Sequence, residues 1–237
     1  NCAAYTAVDK AEADEAFCNI LNHIAPGYLA KAVHEQGGYM IQVSTDYVFD
    51  GTTHIPYREE EPTCPATVYG RTKLAGEEAV MQNCPESVII RTAWLYSTFG
   101  NNFVKTMLRL TAQTPRVKVV FDQAGTPTYA ADLAGAIHRM ISSGAYRGNE
   151  GTYHFSNEGV CSWYDFAHEI AVLAGLDPAR VIPCHSEEFP SPVERPRYSV
   201  LDKTKIKETF NLTIPYWRDA LERCLERLGA QTAGTAI

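Results

Sequence analysis

The chain has 237 residues, of which 45% are hydrophobic and 21% are charged, a composition typical of a globular protein that buries a core. Its net charge is −7 and its Lys and Arg residues are dispersed, which argues against nucleic-acid binding because a polynucleotide partner requires a basic patch. No apolar run approaches the roughly 20 residues that span a bilayer, and no signal-peptide pattern opens the chain, so we expect no membrane partner and a cytoplasmic location.

The chain contains seven cysteines, an odd number, without a C-x-x-C motif and without a nearby histidine at a spacing typical of zinc sites. We therefore expect free thiols, buried or partly buried, in a reducing compartment. The sequence predicts no metal site.

Helical and strand periodicities alternate through the first two thirds of the chain, which predicts an α/β fold with a mostly parallel sheet. In this part we predict helices over residues 13–36, 68–80, 102–112 and 129–141, and strands over residues 39–43, 87–92 and 117–121. Gly37 and Gly38 are suited to end the first helix in left-handed geometry.

Past residue 148 the predicted elements become shorter. They are strands over residues 152–155 and 181–182, helices over 162–175, 203–210 and 216–228, a Pro-rich loop over 186–197 and a frayed tail over 231–237. Ser162 and Asp165 have the spacing of a capping box. Residues 1–9 resemble the end of a strand and the loop after it, rather than the first element of a domain.

Tyr69 and Lys73 lie one helical turn apart, so their side chains share one face of the predicted helix. Thr45 falls at the carboxyl end of the preceding strand, where open α/β sheets bind ligands. Where these groups meet, the ammonium is expected to lower the pKa of the phenol from about 10 toward neutrality and so make it a general acid. Because no side chain delivers a hydride, such an acid implies a nicotinamide cofactor.

Six segments of the chain also follow one another in a family-specific order. They are NCAAYTAVDKAE (1–12), VSTDYVFDG (43–51), VYGRTKLAGE (68–77), RTAWLY (91–96), GTPT (125–128) and RPRYSVLD (195–202). Tyr-x-x-x-Lys alone is weak support, but the ordered set resembles the extended short-chain dehydrogenase/reductases and, within them, the dTDP-4-dehydrorhamnose reductase family.

The resemblance implies a Rossmann-like doubly wound parallel sheet with a smaller α/β substrate-binding lobe. It also implies the reduction of dTDP-4-dehydro-L-rhamnose to dTDP-L-rhamnose by NADPH or NADH, which is the final step of dTDP-rhamnose synthesis. The partner would be a small dTDP-sugar substrate, and a homodimer is left open.

Carried over position by position, the resemblance implies catalytic roles for Tyr69, Lys73 and Thr45. It implies substrate contacts for Thr45, Asp46 and Trp94. The expected cofactor contacts are those of Ala4, Tyr5, Thr6, Val43, Tyr69 and Lys73. From the residues alone other roles stay open: core packing for Trp94, a turn cap for Asp46, and loop surface for Tyr5 and Thr6.

The family's Gly-x-x-Gly-x-x-Gly loop, which lets the backbone approach the cofactor pyrophosphate, does not occur in this sequence. We expect two further βα units, roughly 60 residues with that loop, to precede the chain. The sequence then leaves the choice between NADH and NADPH open, and we expect the chain without the loop to lack part of its cofactor site.

We predict that residues 1–125 are the remainder of the cofactor-binding domain and that residues 126–237 are mainly the substrate-binding lobe, with some chain returning to the core. Two other functions stay open. One is a sugar-nucleotide epimerase or epimerase-reductase, although its usual additional Cys or His acid/base cannot be placed. The other is a non-catalytic NAD(P)-binding regulatory subunit, against which the intact Tyr69, Lys73 and Thr45 argue.

Overall fold

A computed structural model describes residues 1–189 and 191–234 of the chain. These residues form two compact units. The first unit comprises residues 1–92, 137–155 and 191–212, and the second comprises residues 93–136, 156–189 and 213–234. The assignment of cofactor binding to residues 1–125 and of substrate binding to the remainder stays a prediction.

Nine α-helices and nine strands are formed by the residues that the structure describes. The helices are α1 (Val8–Ala11), α2 (Glu15–Asn19), α3 (Ala25–Glu35), α4 (Val68–Asn83), α5 (Phe103–Gln113), α6 (Ala130–Ser143), α7 (Trp163–Leu173), α8 (Thr204–Phe210) and α9 (Trp217–Gly234). The strands are β1 (Ile41–Thr45), β2 (Val88–Thr92), β3 (Leu95–Tyr96), β4 (Val117–Val120), β5 (Ala124–Gly125), β6 (Thr128–Tyr129), β7 (Gly151–His154), β8 (Cys161–Ser162) and β9 (Val181–Cys184).

The first unit is built on a parallel sheet with the order β1-β2-β7. Strand β2 is buried along its whole length, as expected for a central parallel strand covered on both faces. On the other side of β1, the Asn1 amine donates to the Ile41 carbonyl at 2.6 Å, and the Asn1 carbonyl accepts from the Val43 amide at 3.1 Å. This is the pattern of a parallel neighbour, in agreement with the predicted strand end.

The second unit contains short strand pairs packed with helices. Strands β3 and β6 pair in parallel, as do β4 and β9, whereas β5 and β8 pair antiparallel. Helices α5, α7 and α9 contribute residues such as Val104, Phe166 and Leu221 to one apolar core. The two-residue strands were not predicted, because a periodicity of two cannot be recognised over two residues.

Most predicted helices and strands are confirmed, with ends that lie within two or three residues of the predicted ones. One predicted helix contains a segment of a different helical type. The helix predicted over residues 13–36 is divided into α2 and α3 by a π-helical turn, Ile20–Ile24. The capping box at Ser162 and Asp165 is present. Helix α9 continues to Gly234 where a frayed tail was predicted from residue 231, and residues 235–237 of that tail lie outside the described residues.

All seven cysteines are free, and five of them are buried while Cys2 and Cys64 are exposed. None of the helices formed by residues 1–189 and 191–234 is both long and apolar enough to cross a membrane. The cytoplasmic location stays a prediction.

Helix α4 lies unusually close to the π-helical turn. A Cβ atom added at Gly76 would collide with the backbone carbonyl oxygen of Asn22. The side-chain amide of Asn22 also donates to the hydroxyl of Thr72 at 3.3 Å, one turn away on α4. Such π-helical turns are frequent at functional sites, and this one lies against the helix that carries Tyr69 and Lys73.

We predict that Gly76→Ala destabilises the protein by about 2–3 kcal/mol, because the methyl group has no space and the opposing atom is backbone. Urea unfolding followed by circular dichroism measures this loss. Gly135→Ala is the matched control, since position 135 lies within α6 with open space around it, and we expect no loss or a gain of up to about 1 kcal/mol. Equal stability of the two variants would contradict the close crossing.

Candidate active site

Strand β1 ends at Thr45, and the chain turns there into a short 3-10 segment, Asp46–Val48. The Thr45 hydroxyl accepts a hydrogen bond from the Tyr47 amide at 3.2 Å and donates one to Oδ1 of Asp46 at 3.0 Å. Thr45 and Asp46 are each only 4% exposed. The turn is therefore capped by Thr45 and not by Asp46, for which a turn cap had been left open, and Asp46 is the carboxylate that Thr45 orients.

The first turn of helix α4 packs directly on this segment. Thr67 caps the helix by accepting from the Gly70 amide at 2.9 Å, which fixes where the helix begins. A Cβ atom at Gly70 would collide with the carbonyl oxygen of Tyr47, so glycine permits this approach. Tyr69, between the cap and the glycine, is thereby held beside Thr45.

Lys73 is buried, 4% exposed, and its ammonium donates to the carbonyl oxygen of Val43 at 2.7 Å. Burial lowers the pKa of Lys73 to about 8, and the negative charge of Glu77 partly opposes this shift. Glu77 is itself paired with Arg91 on β2 at 2.7 Å. The amine therefore lies against the middle of β1, and its place beside the ligand crevice stays a prediction.

The Tyr69 phenol lies beside the Thr45 hydroxyl, and its ring packs edge-on against that of Tyr47 with centroids 5.4 Å apart. Burial raises the pKa of Tyr69. The Thr45 hydroxyl lowers that pKa in part, and the carboxylate of Asp46 raises it further. The net direction is opposite to the lowering that the sequence predicts, because the buried phenolate loses its hydration.

Asp46 is the second perturbed acid of the site. Burial raises the pKa of Asp46 to about 7, although hydrogen bonding to Thr45 and the nearby Ser199 hydroxyl act in the opposite direction. Its Oδ2 atom is buried and makes no hydrogen bond to the residues that the structure describes. Such an atom is costly unless a ligand or a proton satisfies it, which fits the predicted substrate contact.

The loop predicted to line the cofactor is anchored by a residue that the sequence did not single out. Oδ1 of Asn22 accepts from the Tyr5 amide at 2.8 Å, and Nδ2 donates to the Tyr5 carbonyl at 3.1 Å. Asn22 is 1% exposed, whereas Ala4 and Tyr5 are half-buried and Thr6 is exposed. No sequence pattern marked Asn22, because its burial follows only from the packing of this helical turn.

Tyr47 and Arg195 form a second arrangement that was not predicted. Arg195 donates to the phenol oxygen of Tyr47 at 3.0 Å and pairs with Asp9 at 2.7 Å. It belongs to the RPRYSVLD segment that carries the family resemblance, so the motif could have indicated a role. Arg195 and Asp9, which are distant in the sequence, thereby help to fix the position of the Tyr47 ring that packs on Tyr69.

Trp94 belongs to the second unit and is half-buried. Its ring stacks on Trp163 with centroids 3.6 Å apart, and its backbone adopts a φ of 49°, in the left-handed region that a bulky residue rarely enters. A strained backbone of this kind tends to occur at functional positions. The predicted contact between Trp94 and substrate stays a prediction.

Comparison with known proteins identifies the family of this chain. The family model described as the RmlD substrate binding domain matches residues 1–230. The chain belongs to this family. A dTDP-4-dehydrorhamnose reductase of Streptomyces griseus is 46% identical over 224 residues, which cover 93% of this chain and 73% of the relative.

Two further members show the range of the RmlD family. A probable dTDP-4,6-dihydroxy-2-methyloxan-3-one 4-ketoreductase of Streptomyces antibioticus is 44% identical, covering 93% of this chain and 74% of the relative. The crystal structure of dTDP-4-dehydrorhamnose reductase from Bacillus anthracis in complex with NADP has a TM-score of 0.90 at 39% identity, and the match covers 95% of this chain and 79% of that one. The Rossmann-like α/β fold is thereby confirmed.

The polar groups of the first unit suit the nicotinamide and ribose end of a cofactor such as NADP. An ammonium carries three N–H donors, and the hydrogen bond to Val43 uses one of them. The remaining donors, the Tyr69 phenol and the unsatisfied Asp46 oxygen provide the polar groups that an otherwise apolar ligand pocket needs.

We predict that Asp46→Asn changes how stability depends on pH. The folded pKa, about 7, lies above the ordinary value of 3.8, so the folded protein holds this proton more tightly and loses stability as the pH rises from about 4 to 7. The loss amounts to on the order of 3 to 4 kcal/mol, and an amide cannot incur it. Urea unfolding at pH 4.5 and pH 8 measures both proteins.

The variant should therefore gain stability relative to the unmodified protein as the pH is raised. Asp50→Asn is the control, because that carboxylate is exposed and its pKa is lowered rather than raised. A stability difference that is the same at both pH values would show that Asp46 is already ionised in the acidic sample.

Proposed function

We propose that the protein reduces dTDP-4-dehydro-L-rhamnose to dTDP-L-rhamnose with NAD(P)H, the final step of dTDP-rhamnose synthesis. The observation that carries this proposal is the convergence of Thr45, Tyr69 and Lys73 at the carboxyl end of β1, in a chain of the RmlD family. A nicotinamide cofactor, when bound, supplies a hydride to the ketone carbon. The side chains of this site then have to manage one proton and the orientation of the substrate.

Tyr69 is the proton donor in this proposal. As the ketone carbon is reduced, its oxygen becomes an alkoxide, and the phenol transfers its proton to that oxygen. Because burial raises the pKa of Tyr69, the group stays protonated at neutral pH and is ready to donate. An alkoxide is a stronger base than even this phenolate, so the transfer is favourable.

Thr45 and Lys73 position the reacting groups. The Thr45 hydroxyl lies beside the Tyr69 phenol and donates to Asp46, so it helps to orient the phenol and can share the same substrate oxygen. The Lys73 ammonium, held by the Val43 carbonyl, is the group for the ribose hydroxyls of the cofactor. Asp46 offers its Oδ2 to a sugar hydroxyl, and Val43, Ala4, Tyr5, Thr6 and Trp94 keep the roles that the sequence predicts.

The choice of sugar is the least constrained part of the proposal. The Streptomyces antibioticus relative is a 4-ketoreductase whose dTDP-linked substrate differs from dehydrorhamnose, at an identity close to that of the rhamnose-forming relative. The proposal also places the reaction in the cytoplasm. A homodimer stays a prediction.

We predict that Tyr69→Phe lowers kcat at least about 100-fold, because general acid catalysis by a positioned side chain contributes that much. The assay follows NADPH and NADH oxidation by the full-length protein, with dTDP-4-dehydrorhamnose made in situ from dTDP-glucose by the two preceding enzymes. Tyr28→Phe is the matched control, since Tyr28 is 72% exposed and should keep full activity.

The same assay separates the other two functions. Epimerised product without cofactor turnover would indicate an epimerase, and tight cofactor binding without turnover would indicate a regulatory subunit. Full activity in Tyr69→Phe would remove the phenol from the mechanism.

We predict that Lys73→Met weakens NADPH binding at least about tenfold, because the ribose loses its charged hydrogen-bond donor. The pH profile should change as well. The pKa of Lys73 is about 8, so the unmodified protein loses its ammonium, and with it NADPH affinity, as the pH rises through 8. The variant should lack this alkaline decrease. Titration of NADPH fluorescence between pH 6.5 and 9.5 measures both effects.

The control is Lys31→Met, whose side chain is 64% exposed. It should bind NADPH with the same affinity and the same pH dependence as the unmodified protein. If the NADPH affinity of Lys73→Met still decreased at alkaline pH, the titrating group would be a residue other than Lys73.

A further inference from the structure

Three side chains with metal-ligating atoms converge where helices α3 and α4 end. His34 lies in the last turn of α3, Cys84 directly follows α4, and Glu86 comes two residues later. Nδ1 of His34 is 3.1 Å from Oε2 of Glu86, and Sγ of Cys84 is 3.9 Å from the same oxygen. The three ligand atoms all lie within 4.8 Å of one another.

These separations are close to those of a tetrahedral zinc site. Zn–N and Zn–O distances near 2.1 Å and a Zn–S distance near 2.3 Å place neighbouring ligand atoms about 3.4 to 3.6 Å apart. The pair of His34 and Glu86 is slightly closer than this, and the pair of Cys84 and Glu86 slightly wider. Adjustments of a few tenths of an ångström bring these two pairs to tetrahedral spacing, and rotation of the exposed His34 side chain brings the third pair, now within 4.8 Å, onto the same face, with the fourth position open to water.

The chemistry of the donors selects the metal. An imidazole, a thiolate and a carboxylate together suit Zn²⁺, whereas Mg²⁺ and Ca²⁺ prefer oxygen donors alone. The side chains of His34 and Glu86 are 51% and 44% exposed, so an ion can enter from solvent. Cys84 is fully buried and lies below them, on a segment fixed by helix α4.

A simpler interpretation divides the cluster into a surface ion pair and a core thiol. An exposed pair such as His34 and Glu86 contributes little to stability by itself. Cys84 does pack with Ala30, Met40 and Val80 in an apolar cluster. Its sulfur, however, also approaches two oxygens, Oε2 of Glu86 and the carbonyl oxygen of Gly38 at 4.0 Å, which packing alone does not require.

We propose that His34, Cys84 and Glu86 bind one Zn²⁺ ion that ties the end of α3 to the end of α4. Cys84 lies fifteen positions after Tyr69, a helical distance of roughly 22 Å, so the ion acts on the fold and not on the reacting ketone. The proposal departs from the prediction of no metal site. Positions about fifty residues apart show no zinc-like spacing, and only the packing of α3 on α4 brings them together.

Cobalt titration of the metal-free protein tests the coordination. The exposed thiols are first removed as Cys2→Ser and Cys64→Ser, so that they cannot bind metal adventitiously. One equivalent of Co²⁺ should then produce a thiolate-to-cobalt charge-transfer band that Zn²⁺ abolishes. The further change Cys84→Ser should remove the band, and His34→Ala or Glu86→Gln should weaken binding at least about tenfold.

His54→Ala is the matched control, because His54 is an exposed histidine outside the cluster and should leave the titration unchanged. Thermal unfolding gives an independent readout that does not depend on activity. Zn²⁺ should raise the Tm of the unmodified protein above its value in chelator, and this increase should be absent in His34→Ala.

The surface variant His34→Ala keeps the test decisive even where Cys84→Ser folds poorly. A missing charge-transfer band in the protein without exposed thiols would overturn the proposal. So would a Co²⁺ affinity and a zinc-dependent Tm increase that are unchanged in His34→Ala, because the metal would then be held elsewhere.

Discussion

A single hydrogen bond, from the buried ammonium of Lys73 to the carbonyl oxygen of Val43, joins helix α4 to strand β1. An unpaired buried cation would be strongly destabilising, so the amine has to lie where a carbonyl and the charge of Glu77 can stabilise it. Glu77 is in turn held by Arg91 on β2. The face of α4 is therefore fixed against two neighbouring strands, and Tyr69, one turn before Lys73, has its position set by the same constraint.

Burial shifts the pKa of Tyr69, Asp46 and Lys73 in the direction that favours the neutral form of each group. It raises the pKa of Tyr69 and Asp46 and lowers that of Lys73, so every group is moved toward its neutral form. The site is thus better described as a set of oriented hydrogen-bonding groups than as a set of charges. Such preorganised donors stabilise an alkoxide that develops in a water-poor environment without having to reorient.

Helix α4 connects two regions with different properties. Near its first turn, Gly70 allows the backbone to approach the segment after β1, and in its middle Gly76 allows the approach of the π-helical turn. At its far end, Cys84 meets His34 and Glu86.

Much of the architecture could be read from the sequence. Strands β1 and β2, helix α4 and the capping box at Ser162 have local signals, namely periodicity, N-cap residues and glycine, that do not depend on the rest of the chain. The ordered family segments likewise pointed to Thr45, Tyr69 and Lys73 before any coordinates. The π-helical turn was missed because its cause is the close crossing at Gly76, which lies about fifty residues away.

What the sequence determined by itself is therefore the order of the elements, the family and the identity of the three groups at the end of β1. Only the tertiary structure decided the electrostatics. The desolvation that raises the pKa of Tyr69 comes from atoms distant in the chain, so the pairing with Lys73 read from the helix could not give its direction. The hydrogen bonding of Asn22 to Tyr5 and the proximity of His34 to Cys84 also depend on the tertiary structure. Burial and proximity arise from packing and not from the spacing of residues in the sequence.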